Sequence, residues 1–384
     1  MKNMTDEELV KNINKYEAVV IMGAGDAGEY LLRMLTEKCQ DKTIAICDNS
    51  HKKQGKCLEI NEVVSVERAV QLYPQALYLL TSSIHEMTMK TQLTALGISD
   101  RSILIGVTEG SCNYLEILKR EIKFRPLEKL QFEVDITAHC NLNCKCCSQF
   151  SCIAEEEYID VEKMEKDFRR LGKLFEGEVN RIYLIGGEPL LHPQIIECMK
   201  IARKYFRTGN ISVFTNGLLL LKQDDEFWKV CRNQGIDIIV TKYPISLDYN
   251  KIFEKARAEQ VEFSFFSTSE DYKYMTNLGL DIEGKQDICK SFIHCGEANN
   301  CIKLKDGRLF TCTRPAAVYK FNHFFGKNLE VADEDFIDIY KAESKDEILR
   351  KLSSPIPFCR YCNVLGERRA MEWGQTSKNI EEWL

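Results

Sequence analysis

The chain has 384 residues, 44% of them hydrophobic, with a formal net charge of −6. It is long enough for two or three domains, and its acidic balance, with no long run of Lys and Arg, argues against a nucleic-acid or membrane-surface partner. No apolar run is long enough to span a bilayer, and the polar start MKNMTDEELVKN is not a signal peptide, so a cytoplasmic location is expected.

Strand-like runs EAVVIM (17–22), TIAIC (43–47), ALYLLT (76–81) and SILIGV (102–107) alternate with helical stretches such as AGEYLLRMLTEK and MTMKTQLTALG. Strand–helix alternation predicts βαβ units and a parallel sheet, here a Rossmann-like domain over 1–112. Between the first strand and its helix, Gly23, Gly25 and Gly28 make G-x-G-x-x-G, and Asp48 ends the next strand. That spacing suits a nucleotide, with diphosphate at the helix start and Asp48 at a ribose hydroxyl. The competing reading is an empty scaffold used for packing or dimerisation. A helical connector, NYLEILKREIKF, leads through 113–130.

A longer β/α series fills 131–284. Its strands are QFEVDIT (131–137), RIYLIG (181–186), ISVFTN (211–216), IDIIVT (236–241) and VEFSFF (261–266), with four amphipathic helices between them. The expectation is a partial (β/α)6 barrel, whose active site would sit at the C-terminal strand ends. From 285 to 384 the alternation stops. A hairpin-like CIKLKDGRLFTC and widely spaced cysteines mark a small cysteine-rich region.

Seventeen cysteines are too many for a reducing compartment unless they bind something. Cys39, Cys47, Cys57, Cys112, Cys198 and Cys231 are scattered in apolar or helical contexts and read as small buried hydrophobes. Cys140, Cys144 and Cys147 are different. They form C-x3-C-x2-C directly after the strand QFEVDIT, and three thiolates can hold three corners of a [4Fe–4S] cube with one iron open. A zinc site, which wants four closed ligands, is the alternative, with the adjacent Cys146 as a poor fourth.

This motif at the end of a first barrel strand resembles the signature of the radical S-adenosylmethionine (SAM) superfamily. IGGEPLLHP at the end of the next strand resembles the family's GGEP stretch, which implies that Gly186, Gly187, Glu188 and Pro189 line the site for the methionyl amino group. FTNG at the third strand end implies that Thr215 and Asn216 lie near the ribose. One departure is that the position before the last cysteine, often aromatic in the family, is Cys146, which leaves the adenine contact unassigned.

Farther on, Cys295 and Cys312 fit C-x11-G-x4-C with Gly307 as the glycine, and Cys359 and Cys362 make a C-x2-C pair. This resembles the Twitch region, a shortened SPASM domain that holds one auxiliary [4Fe–4S] cluster in some radical SAM enzymes. Cys301 is a possible substitute for Cys295, Cys289 complicates the count, and a zinc ribbon is the competing reading.

The resemblance implies an oxygen-sensitive enzyme in which a reduced cluster cleaves S-adenosylmethionine to a 5′-deoxyadenosyl radical. It also implies an electron donor such as flavodoxin or ferredoxin. The expected substrate is a sugar or sugar nucleotide. The alternatives are a ribosomally made peptide and a non-catalytic iron–sulfur or zinc scaffold. No catalytic residue is assigned; His139 and His192 read as turn residues that help set the loop, His294 beside Cys295 stays open, and KFNHFFG (320–326) reads as core.

Overall fold

The computed structural model describes residues 6–58, 61–81, 86–105, 120, 123–266, 274–277, 279–366 and 369–384. They divide into two compact units, Met1–Ile122 and Lys123–Leu384. Most of the expected connector helix, and Cys112 with it, lies outside the described residues.

The first unit runs α1 (Asp6–Ile13), β1 (Ala18–Met22), α2 (Asp26–Lys38), β2 (Thr43–Cys47), β3 (Cys57–Leu58), β4 (Asn61–Val64), α3 (Val66–Leu72), β5 (Leu77–Leu80), α4 (Glu86–Ala95) and β6 (Ile103–Leu104). Its sheet has the order β3-β4-β2-β1-β5-β6, and β1 is parallel to both neighbours. Successive side chains of β1 point to opposite faces. Val19 and Ile21 therefore join one core while Val20 and Met22 join the other. Both faces are covered, which is why the strands read as unbroken apolar runs. The short β3 and β4 carry no such run and were not legible in the sequence.

The second unit opens with a β/α series: β7 (Gln131–Thr137), α5 (Val161–Leu174), β8 (Glu178–Gly186), α6 (Ile195–Tyr205), β9 (Thr208–Thr215), α7 (Asp225–Gln234), β10 (Ile236–Thr241), α8 (Tyr249–Ala258) and β11 (Phe263–Phe266). It continues through β12 (Tyr274–Asn277), α9 (Ile288–His294), β13 (Lys303–Lys305), β14 (Arg308–Phe310), α10 (Thr313–Phe325), β15 (Phe336–Asp338), α11 (Lys345–Leu352) and β16 (Arg369–Glu372). The main sheet has the order β11-β10-β9-β8-β7-β13-β14-β15. Strands β7 to β11 are parallel, as the β/α alternation predicts.

The helices pack on one face of this sheet. Phe132 of β7 meets Phe168 of α5 and Phe206 with ring centroids 5.8 and 5.7 Å apart. The cysteine-rich region is not a separate layer. Its strand β13 pairs parallel with β7, and β14 and β15 continue the same sheet antiparallel. Lys303 of β13 is fully buried, 2.8 Å from Glu133 and 2.6 Å from Asp135 of β7. Asp306 and Gly307 at the β13–β14 turn both have positive φ, 47° and 72°, the conformation that an Asp-Gly pair favours in a tight hairpin. Among the described residues no helix is long and apolar enough to cross a membrane.

A second core lies under the cysteine-rich region and includes Phe150, Phe292, Phe321, Phe358 and Trp383. KFNHFFG lies in α10, with Phe321 fully buried in this core and Phe324 exposed. Of the scattered cysteines, Cys39, Cys47, Cys198 and Cys231 are buried as expected. Cys57 is exposed, because the short β3 sits at the edge of its sheet.

Candidate active site

A cavity of about 220 Å³ opens at the C-terminal ends of the parallel strands. Cys140, Cys144 and Cys147 line it from the loop after β7. Gly186 and Gly187 line it from the end of β8, and Thr215 and Asn216 from the end of β9. Sequence spacing thus located seven residues that the fold brings together.

The two glycines do something other than present backbone to a ligand. A Cβ on Gly187 would lie 1.9 Å from the carbonyl oxygen of His139, and one on Gly186 2.2 Å from that of Thr137. The missing side chains let β8 pass against the cysteine loop. Gly187 N donates to Thr137 O at 2.7 Å, and Glu188 N to His139 O at 3.1 Å.

Glu188 and Pro189 do not line the cavity. The Glu188 carboxylate is fully buried. It accepts from Thr215 Oγ1 at 2.6 Å, from Asn216 N at 2.9 Å and from Leu190 N at 3.0 Å. In the fold Glu188 thus holds Thr215 and the backbone of Asn216 at the cavity wall. Burial raises the Glu188 carboxyl to about 7, against the pull of these three donors. Asn216, held this way, donates from Nδ2 to Asn141 Oδ1 at 2.8 Å and stands 3.8 Å from Cys140 Sγ.

Several residues around the triad gave no signal in the sequence. Trp373 Nε1 donates to Cys144 Sγ at 3.3 Å, and the Tyr243 hydroxyl donates to the same sulfur. Trp383 Nε1 donates to Cys147 O at 3.1 Å, and Lys145 N to Gly374 O at 2.9 Å. The segment from 373 to 384 thus lies along the cysteine loop. Phe214 and Phe266 line the cavity as an edge-on pair with centroids 5.0 Å apart. Ser151 and Cys152 line it too. Cys146 is buried with φ of 51° and does not line it.

His192 is a turn residue, with Nδ1 accepting from Gln194 N at 2.9 Å. His139 packs edge-on to Tyr158 at 5.2 Å, and His294 ends α9.

Cys295, Cys312, Cys359 and Cys362 line one small enclosed cavity together with Glu297 and Arg314. Cys289 and Cys301 do not line it. The buried Arg314 guanidinium donates to Cys362, a cation where four thiolates would bring negative charge. Among the described residues, no three His, Cys, Asp or Glu side chains are bunched closely enough to hold a single metal ion.

Burial pushes the Cys140 thiol up to about 11 and the Cys144 thiol to about 12. Iron is the kind of charge that offsets such a cost. Three thiols on a cavity of mixed polar and apolar lining, with donors to sulfur and open space beside them, fit three corners of a cube. The second four fit a closed one.

In the first unit, Gly23, Gly25 and Gly28 follow β1 where the sheet order reverses, the usual place for a ligand in such sheets. A Cβ on Gly28 would lie 1.8 Å from Gly23 O, so Gly28 serves close packing of loop on helix. A Cβ on Gly25 would meet only Lys53 Nζ, at 3.8 Å. Asp48 does end β2, but its carboxylate turns into the loop. It accepts from Ala24 N at 2.7 Å and Ser50 N at 2.8 Å, and Lys53 Nζ lies 3.4 Å away.

Residues 134–275 match the family model described as the radical SAM superfamily. The chain is 38% identical over 96 residues to a probable GTP 3',8-cyclase of Thermoplasma volcanium, covering 25% of this chain and 28% of that protein. It is 34% identical over 92 residues to the GTP 3',8-cyclase of Chlorobaculum tepidum, covering 24% and 27%. The chain thus spans little more than a quarter of the length of these two relatives. Against the GTP 3',8-cyclase of Aquifex aeolicus the identity is 29% over 268 residues, covering 62% of this chain and 78% of that one. Among solved structures, BtrN in complex with AdoMet and 2-DOIA matches with 16% identity and a TM-score of 0.38, covering 62% of this chain and 94% of that one. The cofactors of the matched family are a [4Fe–4S] cluster and S-adenosylmethionine, and residues 134–275 of this chain are a radical SAM superfamily domain.

Proposed function

We propose that the chain is an enzyme that cleaves S-adenosylmethionine reductively and uses the resulting carbon radical to take a hydrogen atom from a substrate. The observation that carries this is the convergence of Cys140, Cys144 and Cys147 with Gly186, Gly187, Thr215 and Asn216 on one cavity. When bound, the cluster and S-adenosylmethionine supply the electron and the 5′-deoxyadenosyl radical. The chain's own residues bind and orient. Cys140, Cys144 and Cys147 hold three irons. Glu188 fixes Thr215 and the backbone of Asn216 at the wall, and Trp373 and Tyr243 donate to the Cys144 sulfur. Aromatic Phe214 and Phe266 give the cavity an apolar wall. Cys295, Cys312, Cys359 and Cys362 hold an auxiliary cluster, which resembles Twitch in its spacing.

The substrate class we favour is a nucleotide-bearing small molecule, a sugar nucleotide first. Two observations support it: the glycine loop at the switch point of the first unit, and relatives named for a reaction of GTP. The electron comes from a flavodoxin- or ferredoxin-like donor in a reducing compartment such as the cytoplasm. The test is anaerobic incubation with reductant, S-adenosylmethionine and, separately, nucleotide sugars, GTP and candidate peptides. The expected result is that one nucleotide-bearing compound is consumed and raises 5′-deoxyadenosine output above the substrate-free rate. Stimulation by a peptide alone would replace the substrate class. No deoxyadenosine under any condition would leave a non-catalytic iron–sulfur or zinc protein.

A further inference from the structure

The small cavity lined by Cys295, Cys312, Cys359 and Cys362 has apolar walls from Ile356, Phe358 and Val364. Among the described residues that line it, Arg314 is the one cation and Glu297 the one carboxylate. Arg314 is 5% exposed, and its Nε lies 3.8 Å from Glu297 Oε2. The place is costly for a cation on two counts. Burial strips the guanidinium of water. Arg314 also sits in the first turn of α10, just after the N-cap Cys312, where the helix dipole opposes positive charge. A partly exposed carboxylate at 3.8 Å is a weak partner for a buried guanidinium. Four thiolates on the same cavity would supply the missing negative charge. Two donors already meet these sulfurs: Arg314 donates to Cys362, and Ala298 N donates to Cys295 Sγ at 3.4 Å. Lys123 Nζ donates to Ala298 O at 2.7 Å, which places a second cation behind the same wall.

We propose that Arg314 is a positioning residue that raises the redox potential of an iron–sulfur cluster held by these four cysteines, with Glu297 as its opposing charge. This rests on the auxiliary-cluster reading given above. Four thiolates on an oxidised [4Fe–4S] core leave a net charge of about −2, and one-electron reduction makes it about −3. A fixed cation stabilises the second state more than the first, and an apolar surrounding screens the attraction weakly. A guanidinium suits the task because burial does not take its proton. The hydrogen bond from Arg314 brings its charge to the Cys362 sulfur. Glu297 acts in the opposite sense, since a carboxylate penalises the more negative state. Two neighbours in one cavity therefore shift one potential in opposite directions. A merely structural role for either residue has no such sign.

The experiment isolates the second cluster in the full chain. The Cys140→Ala, Cys144→Ala, Cys147→Ala chain is reconstituted without air, and iron and sulfide of about four atoms each establish a single cube. EPR-monitored redox titration then reads its potential. Added to this background, Arg314→Gln is expected to lower the ratio of reduced to oxidised cluster at a fixed potential about tenfold, which is ~59 mV for one electron. Arg314→Lys, which keeps the charge, is expected to fall between Arg314→Gln and the unchanged background. Glu297→Gln is expected to raise the ratio, by about threefold, because its carboxylate is partly exposed and better screened. If Arg314→Gln loses its iron, Glu297→Gln and Arg314→Lys decide: a higher and a slightly lower potential support the proposal, and unchanged potentials overturn it. An intact Arg314→Gln cluster at the background potential, or shifts of the same sign for Arg314→Gln and Glu297→Gln, also overturns it while leaving the auxiliary-cluster reading standing. Zinc without sulfide in the background chain overturns both.

Discussion

The indole Nε1 of Trp373 donates to the Sγ of Cys144 across 3.3 Å, joining a residue near the end of the second unit to the middle cysteine of the triad. A donor to a ligand sulfur stabilises the more negative, reduced cluster and raises its potential. Trp373→Phe keeps an aromatic ring at the position that lies 5.9 Å, centroid to centroid, from Tyr243, and removes the pyrrole part of the indole with its N–H. We expect the reduced fraction at a fixed potential to fall up to about tenfold, which is ~59 mV for one electron. EPR-monitored redox titration measures it. An unchanged potential would mean that the bond is not retained in the loaded protein.

Glu188 is the acceptor for three buried donors, so Glu188→Ala leaves all three without a partner. The expected cost is at least ~3 kcal/mol of stability, read by denaturant unfolding. Glu188→Gln should cost less. The wild type also carries a pH signature. Its native carboxyl is raised by burial to about 7 from an ordinary value near 4.5, so the native state holds a proton that the unfolded chain has released. Stability from this group is therefore full below about pH 4.5 and declines as pH rises to about 7, by an order-of-magnitude ~3 kcal/mol. Glu188→Gln should remove that slope.

Gly187→Ala tests the packing of the two motif loops. The added Cβ would lie 1.9 Å from His139 O, and backbone on both sides leaves it no room. The cysteine loop must shift, and anaerobically reconstituted protein should lose up to about half its iron, the share of one cube in two. Full iron content with normal S-adenosylmethionine binding would show that the loop adapts.

In the first unit, Asp48→Ala removes the acceptor for Ala24 N and Ser50 N, with an expected cost of ~1–3 kcal/mol. Burial alone would raise the Asp48 carboxyl. The Ser50 and Ala24 N–H groups, with the Lys53 ammonium, outweigh it and hold the carboxyl below the usual carboxylate range. Its contribution is thus present above the ordinary carboxylate pKa and lost as pH falls through the lower, folded value. Gly28→Ala should be the more damaging change and Gly25→Ala the tolerated one, since only the first meets backbone. Calorimetry of the full chain against nucleotide sugars then measures binding. Weaker binding in Asp48→Ala would place the ligand at this loop; unchanged binding would leave Asp48 as a loop brace.

The sequence was readable wherever a local pattern carries the physics. Strand–helix alternation located β7 to β11 and the helices between them, because buried parallel strands are apolar on both faces. The triad and the residues at the ends of β8 and β9 were readable because each motif follows its own strand. What was not readable is long-range. Trp373 lies 229 positions from Cys144, and no spacing rule connects them. The GGEP motif places Glu188 at the site, but the partners of its buried carboxylate, Thr215 and Asn216, lie 27 and 28 positions on, beyond any local pattern. Strand β13 was read as part of a separate region because its partner, β7, precedes it by more than 160 residues.

The account rests most directly on whether this cavity makes a carbon radical. The measurement is 5′-deoxyadenosine and methionine released by the anaerobic, reduced protein from S-adenosylmethionine, compared with the Cys140→Ala, Cys144→Ala, Cys147→Ala variant. The account predicts equal amounts of the two products from the wild type and neither from the triple variant. Wild-type protein with full iron and sulfide that releases no 5′-deoxyadenosine, or a triple variant that still releases it, would contradict the account.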